Sequence, residues 1–359
     1  MNRALDAESA QLVVLNGDII TGENTYFENS THYMDQVVAP LLARNLPWAS
    51  TYGNHDRQYN LSGQGLLARE RRWPNARTTQ MVFGDGIGSS NYYLPVYPSD
   101  CASGRESLCT PSLLLWFFDA RGGFEFQQHD ESGIPVARPN WVDSAVVDWF
   151  KSTSSNLVKR HGKPIPSLAF VHHPTRASQA LQADGIDPNK FPGIDDDWPL
   201  AGQADGWCED GSEGCSYGGQ DEPFMNALAS TAGLLAVFSA HDHGVSWCTK
   251  LHSKPKSMII KGNGVNLCFG QHTGYGGYGT WVRGSRQVLA TEEMLEHAEV
   301  DTWIRLERGE VINSVSLNST YGEDWYPASP NPHSTGPGDE YSGDEYYSES
   351  SGGNDELSL

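Results

Sequence analysis

The chain is short of positive charge. Only 24 Lys and Arg residues stand against 45 Asp and Glu in 359 residues, a formal net charge of −21. Phosphate backbones recruit Lys and Arg, so this balance argues against nucleic acid as a partner. Long apolar runs are missing as well: no stretch approaches the roughly 18 apolar residues of a membrane-spanning helix. The opening MNRALDAESA carries no apolar core of a secretory leader. No internal repeat is visible. None of the six cysteines is spaced as Cys-x-x-Cys, which disfavours a structural zinc site.

The cysteines fall instead as three short-range pairs, Cys101/Cys109, Cys208/Cys215 and Cys248/Cys268, a pattern that favours disulfides. Asn29-Ser30-Thr31, Asn60-Leu61-Ser62 and Asn318-Ser319-Thr320 are glycosylation triplets. Together these predict an oxidising compartment, hence a secreted or vacuolar location, with the cytoplasm as the alternative that the missing leader suggests. A hydrophobic content of 38% is enough for a substantial core. The segment 327–359 is different: it holds seven acidic residues, no Lys or Arg and almost no aliphatic side chains. Such a composition cannot bury enough surface to offset its ordering entropy, so a disordered tail is expected after a domain spanning 1–326.

Through that domain, apolar strands alternate with amphipathic helices, the pattern of an α/β sheet. Strands are expected at QLVVLN, PWASTY, NYYLPVY, SLLLWFFDA, SLAFV, LLAVFSA and SMIIK. Helices are expected at 31–44, with Ser30 or Thr31 as its cap, at 141–151 and at 223–231. TWIRLERGEVINSVSL reads as a hairpin turning near Arg308-Gly309. The Asp-, Gly- and Pro-rich stretch 175–220 is too long for a plain connection.

Four of the strands run into metal-ligand types of residue: LVVLNGD into Asp18, WASTYGNHD into Asn54-His55-Asp56, SLAFVHH into His172-His173, and LLAVFSAHDH into His241-Asp242-His243. Function in an α/β sheet gathers beyond the carboxyl ends of strands, so the four groups are expected to converge. Oxygen and imidazole donors without thiolate suit Mn, Fe or Zn, and a carboxylate can bridge two ions. Two such ions can clamp a phosphate and activate water for in-line displacement, which points to phosphoester hydrolysis.

These motifs, in this order, resemble those of the calcineurin-like metallophosphoesterases. HTGYGGYG and VVAPLLARNLPWASTYGNHD are similar to the subgroup related to purple acid phosphatases. The resemblance implies a four-layer αββα sandwich of two packed mixed sheets flanked by helices. It implies Asp18 as the carboxylate bridging two metal ions, with Asn54, His172 and His241 on the second ion and His243 on the first. His55 would act on the phosphoryl oxygens or the leaving group. His173 is expected beyond the ligand set or facing solvent, whereas Asp56 and Asp242 either orient neighbouring histidines or cap loops. The family also has an Asp-x-His motif ending an earlier strand, and nothing before Asp18 supplies it; Asp6 and Glu8 precede the strand on another element. A chain that starts after that strand is the expected explanation, a single-metal or inactive secreted glycoprotein the alternative. The implied substrate is a small phosphoester or a phosphoprotein.

Overall fold

The computed structural model describes residues 1–252, 258 and 260–331. Most of the expected tail, 332–359, lies outside the described residues.

The central element is a mixed six-stranded sheet, ordered Cys248–Lys250, Asn266–Phe269, Leu234–Ser239, Ser167–Val171, Leu113–Phe118, Tyr92–Val96. Its four inner strands run parallel, and the two edge strands are antiparallel to their neighbours. Parallel strands covered on both faces read as unbroken apolar runs, and LLLWFF is buried along its whole length. Alternation then divides that strand between two cores. Leu114, Trp116 and Phe118 pack with Val146, Val147 and Phe150 of helix Ser144–His161 and with Phe224 and Leu228 of helix Glu222–Ser230. Leu113, Leu115 and Phe117 face the other way, onto Ala49, Val14, Val300, Val315 and Leu317.

Those partners belong to two smaller sheets that form the second β layer. One is the parallel pair Val13–Asn16 and Trp48–Thr51; the other is the antiparallel set Gly284–Leu289, Val300–Leu306, Val311–Leu317. Val13, Leu15 and Trp48 look outward onto Met34, Val38 and Leu41 of helix Tyr33–Ala43 and Leu66 and Leu67 of helix Gly63–Glu70. The layers therefore run helix, sheet, sheet, helix. Each fully buried Leu or Phe in these interfaces contributes about 1.5–3 kcal/mol.

Several local expectations shift. The helix expected at 141–151 is Ser144–His161, capped by the Asp143 carboxylate on the Ala145 amide and ended by Gly162 at φ 73°. Neither Ser30 nor Thr31 caps Tyr33–Ala43; both lie in a 3-10 turn, Ser30–His32, that leads into it. The strand expected at 257–261 is not formed by the described residues of that stretch, Met258, Ile260 and Lys261. Asn266–Phe269 takes the place beside Leu234–Ser239, because β pairing there brings Cys268 opposite Cys248. The stretch 175–220 carries its own helix, Arg176–Asp184, and a hairpin of Asp205–Trp207 with Glu213–Tyr217. Disulfides join Cys101 to Cys109, Cys208 to Cys215 and Cys248 to Cys268, the last across paired strands with Cα atoms 4.0 Å apart. Among the described residues no helix is long and apolar enough to cross a membrane.

Candidate metal centre

The parallel pair and the six-stranded sheet meet at their carboxyl ends. There the Asn16 side-chain amide donates to the Phe238 carbonyl at 3.1 Å, stitching one sheet to the other. Beyond that stitch the chain turns sharply, with Gly17 at φ 91° and Asp18 at φ 48°. His241, past the end of Leu234–Ser239, also sits in the left-handed region at φ 72°. Non-glycine residues held there cost of order 1–3 kcal/mol and concentrate at functional sites.

These turns bring three of the expected ligands together: one ligand atom each from Asp18, His172 and His241 lies within 4.8 Å of the others. The His172 Nδ1–H faces the Asn16 carbonyl at 2.8 Å, which leaves Nε2 aimed at the Asp18 carboxylate, 2.9 Å away. His241 Nδ1 lies 3.3 Å from that same Nε2. With Nε2 deprotonated, three acceptor atoms converge on one point and repel unless a proton or a metal ion sits among them, and metal-binding imidazoles are typically oriented by such a carbonyl. Without a cation, the carboxylate favours a proton on the facing ring: burial works to lower the His172 pKa, but Asp18 outweighs it and raises it. Burial works to raise the Asp18 pKa, but the facing His172, with His55 and His241, overcomes it and holds the carboxylate well below its ordinary range. Burial pushes His241 down to about 3, so it stands as a neutral donor.

Asn54 is the fourth expected ligand. Its side-chain oxygen is buried and accepts no hydrogen bond, an orphan of the kind a metal ion satisfies. One carboxylate and two imidazoles, with the amide oxygen expected from Asn54, fit a borderline divalent cation. His243 stands apart from the close cluster. Its Nδ1 bonds the Tyr278 carbonyl at 2.9 Å, and its ring stacks with that of Tyr278 and lies against the tilted ring of His272.

The His55 amide donates to Asp18 Oδ1 at 2.9 Å, while its ring turns away to Glu23, 2.9 Å from Nδ1. The hydrogen bond to Glu23 raises the His55 pKa to about 9, against the opposing effect of burial. A cation bound at Asp18 would oppose that shift. Glu23 lies on the 3-10 turn Gly22–Asn24, with no motif of its own to mark it, and sequence reading missed it. His173 is buried, not solvent-facing, and its Nδ1 has no partner; it tilts over His241 at 4.3 Å between ring centroids. Asp56 and Asp242 cap loops. Asp56 accepts from the amides of Ile19, Ile20 and Gly53, and Asp242 from that of Ala201. Asp6 bonds Arg44, and Glu8 bonds Trp303 and Arg305, so both acids are engaged away from the cluster.

Residues 1–245 match the calcineurin-like phosphoesterase family. Among curated proteins the chain is 26% identical to probable inactive purple acid phosphatase 29 of Arabidopsis thaliana, over 86% of this chain and 72% of that protein. It is 23% identical to probable inactive purple acid phosphatase 14 of the same plant, over 84% and 68%. The phosphatase DCR2 of Saccharomyces cerevisiae is 24% identical over 85% of this chain, which spans 47% of that protein. Among solved structures, a dimetal phosphatase from Danio rerio shares the fold, with a TM-score of 0.52 at 15% identity over 88% of each chain. With more than half of its length matched and the strand-end residues in family order, the chain belongs to the calcineurin-like phosphoesterases.

Proposed function

We propose that the chain hydrolyses phosphate esters with divalent metal ions held by Asp18, Asn54, His172, His241 and His243. The observation that carries this reading is the convergence of Asp18, His172 and His241, with the orphaned Asn54 oxygen as its support. Ions at such a site supply Lewis acidity and an activated water. The protein's own residues do the rest. Asp18 would then serve both groups of ligands. The Asn16 carbonyl and the Tyr278 carbonyl fix the tautomers of His172 and His243. His55, held by Glu23, would donate a proton to the leaving oxygen or bind the phosphoryl oxygens.

The substrate in this reading is a small phosphoester or a phosphoprotein. Three disulfides and the purple acid phosphatase-like relatives support an extracytoplasmic location. The test is direct: the purified chain is loaded with Mn, Fe or Zn and given an aryl phosphate, beside His172→Ala. Bound metal and turnover in the parent, both lost in the variant, are the expected result. Metal binding without turnover would favour a metal-binding protein of the same fold, in keeping with relatives called inactive. No metal uptake would remove the reading altogether.

A further inference from the structure

The segment 271–280 after strand Asn266–Phe269 gives the reading above only its Tyr278 carbonyl, yet it closes on His243 from two sides. The His243 ring lies 4.2 Å from the Tyr278 ring, nearly parallel at 13°, and 3.9 Å from the His272 ring at 33°. Two rings at those spacings would collide on one face, so they hold opposite faces. The edge is held too: Nδ1 meets the Tyr278 carbonyl at 2.9 Å, and the His243 amide donates to the Tyr278 hydroxyl at 3.3 Å. The approach requires glycine. Gly277 stands at φ +81°, and a Cβ there would sit 2.3 Å from His243 Cε1. The clamp is itself anchored, because the Tyr278 hydroxyl bonds the Asp197 carboxylate, which also accepts from the Gly244 amide.

From this geometry we infer that Tyr278 and His272 are positioning residues, which lock the His243 ring so that its bare Nε2 is presented to a metal ion. The inference rests on the reading of His243 as a ligand. Ordinary loop packing does not account for the arrangement, since Tyr278 is 47% exposed and Tyr275 71%. What the contacts restrict is one ring: stacking blocks its rotation, and the Tyr278 carbonyl selects its tautomer. Groups that orient metal-binding imidazoles are worth about 10- to 100-fold in metal affinity.

The experiment is Co²⁺ titration of the full chain, followed by visible absorption and equilibrium dialysis, with melting temperatures of the metal-free variants alongside. Four variants are compared: His243→Ala, His272→Ala, Tyr278→Leu and Tyr278→Phe. His243→Ala should abolish one ion's uptake. Tyr278→Leu and His272→Ala should weaken that same ion by about 10- to 100-fold, leaving the other ion and the metal-free melting temperature unchanged. Tyr278→Phe, which keeps the ring and the carbonyl, should recover most of the loss. Parent-like affinity in both Tyr278→Leu and His272→Ala, with loss in His243→Ala, overturns the positioning role. A fall in affinity matched by a fall in metal-free melting temperature and not recovered by Tyr278→Phe also overturns it, since the loop would then be merely structural. Unchanged uptake in His243→Ala defeats the ligand reading on which it rests.

Discussion

Gly53 has no room for a side chain. A Cβ there would lie 2.1 Å from Asp18 Oδ1 and 2.7 Å from His172 Nε2, inside the space where their lone pairs meet. Gly53→Ala is therefore expected to push the carboxylate and the imidazole apart and to weaken metal binding at this cluster by at least about tenfold, within the range seen when ligand orientation is disturbed. Isothermal titration with Mn²⁺ checks it, and parent-like affinity would show that the cluster tolerates the displacement. His55→Ala makes the complementary case: turnover should fall by about 10² or more while metal content holds, since proton-transfer groups contribute on that scale. Lost metal would instead make His55 a ligand. At this scale the sequence was readable where chemistry sits at a strand end. Asp18, Asn54, His172 and His241 each follow an apolar run, and the structure brings the first, third and fourth together. Glu23 and the burial of His173 were not readable, because each depends on a partner far along the chain: His55 for one, His241 for the other.

Helix Gly63–Glu70 is fastened to strand Trp48–Thr51 by its last residue. The buried Glu70 carboxylate accepts from Trp48 Nε1 at 2.7 Å, Ser50 Oγ at 2.6 Å and Tyr52 Oη at 2.7 Å. Burial raises its pKa and the three donors oppose the shift, so the group is tied closely to its neighbours. Glu70→Ala would leave three buried donors without an acceptor, at about 1–3 kcal/mol each before relaxation. A loss of at least 2–3 kcal/mol is expected in urea unfolding; a loss below about 1 kcal/mol would mean that water replaces the carboxylate. The strand supported in this way leads into Asn54, so the same variant should also weaken metal binding. Elements were legible where their periodicity was strong: the closing hairpin appears as Val300–Leu306 and Val311–Leu317. Asn266–Phe269 was missed, since NLCF has only four residues and its place is set by pairing with Leu234–Ser239 and Cys248–Lys250. The disulfide between Cys248 and Cys268 closes a loop of about twenty residues, for which the chain-entropy model gives roughly 3 kcal/mol.

Across the whole molecule, the ligands are divided between two sheets. Asp18 and Asn54 follow the small parallel pair, whereas His172 and His241 follow strands of the six-stranded sheet. An ion bound by all four would tie the two β layers together at the edge where the Asn16 side chain donates to the Phe238 carbonyl and the His172 ring meets the Asn16 carbonyl. Because the cluster exists only in the folded chain, binding there must raise folding stability, by about 2.7 kcal/mol at a free metal concentration 100 times the dissociation constant. Mn²⁺ should accordingly raise the melting temperature of the protein, and a chelator should lower it again. His172→Ala removes a ligand from one sheet and Asp18→Asn weakens the carboxylate of the other, so each variant should lose most of that metal-dependent rise. Differential scanning calorimetry of the three proteins, with and without chelator, reads the effect. A parent whose melting is indifferent to Mn²⁺ would mean that no ion joins the sheets, whereas a rise that survives in both variants would place the stabilising ion elsewhere on this acidic surface.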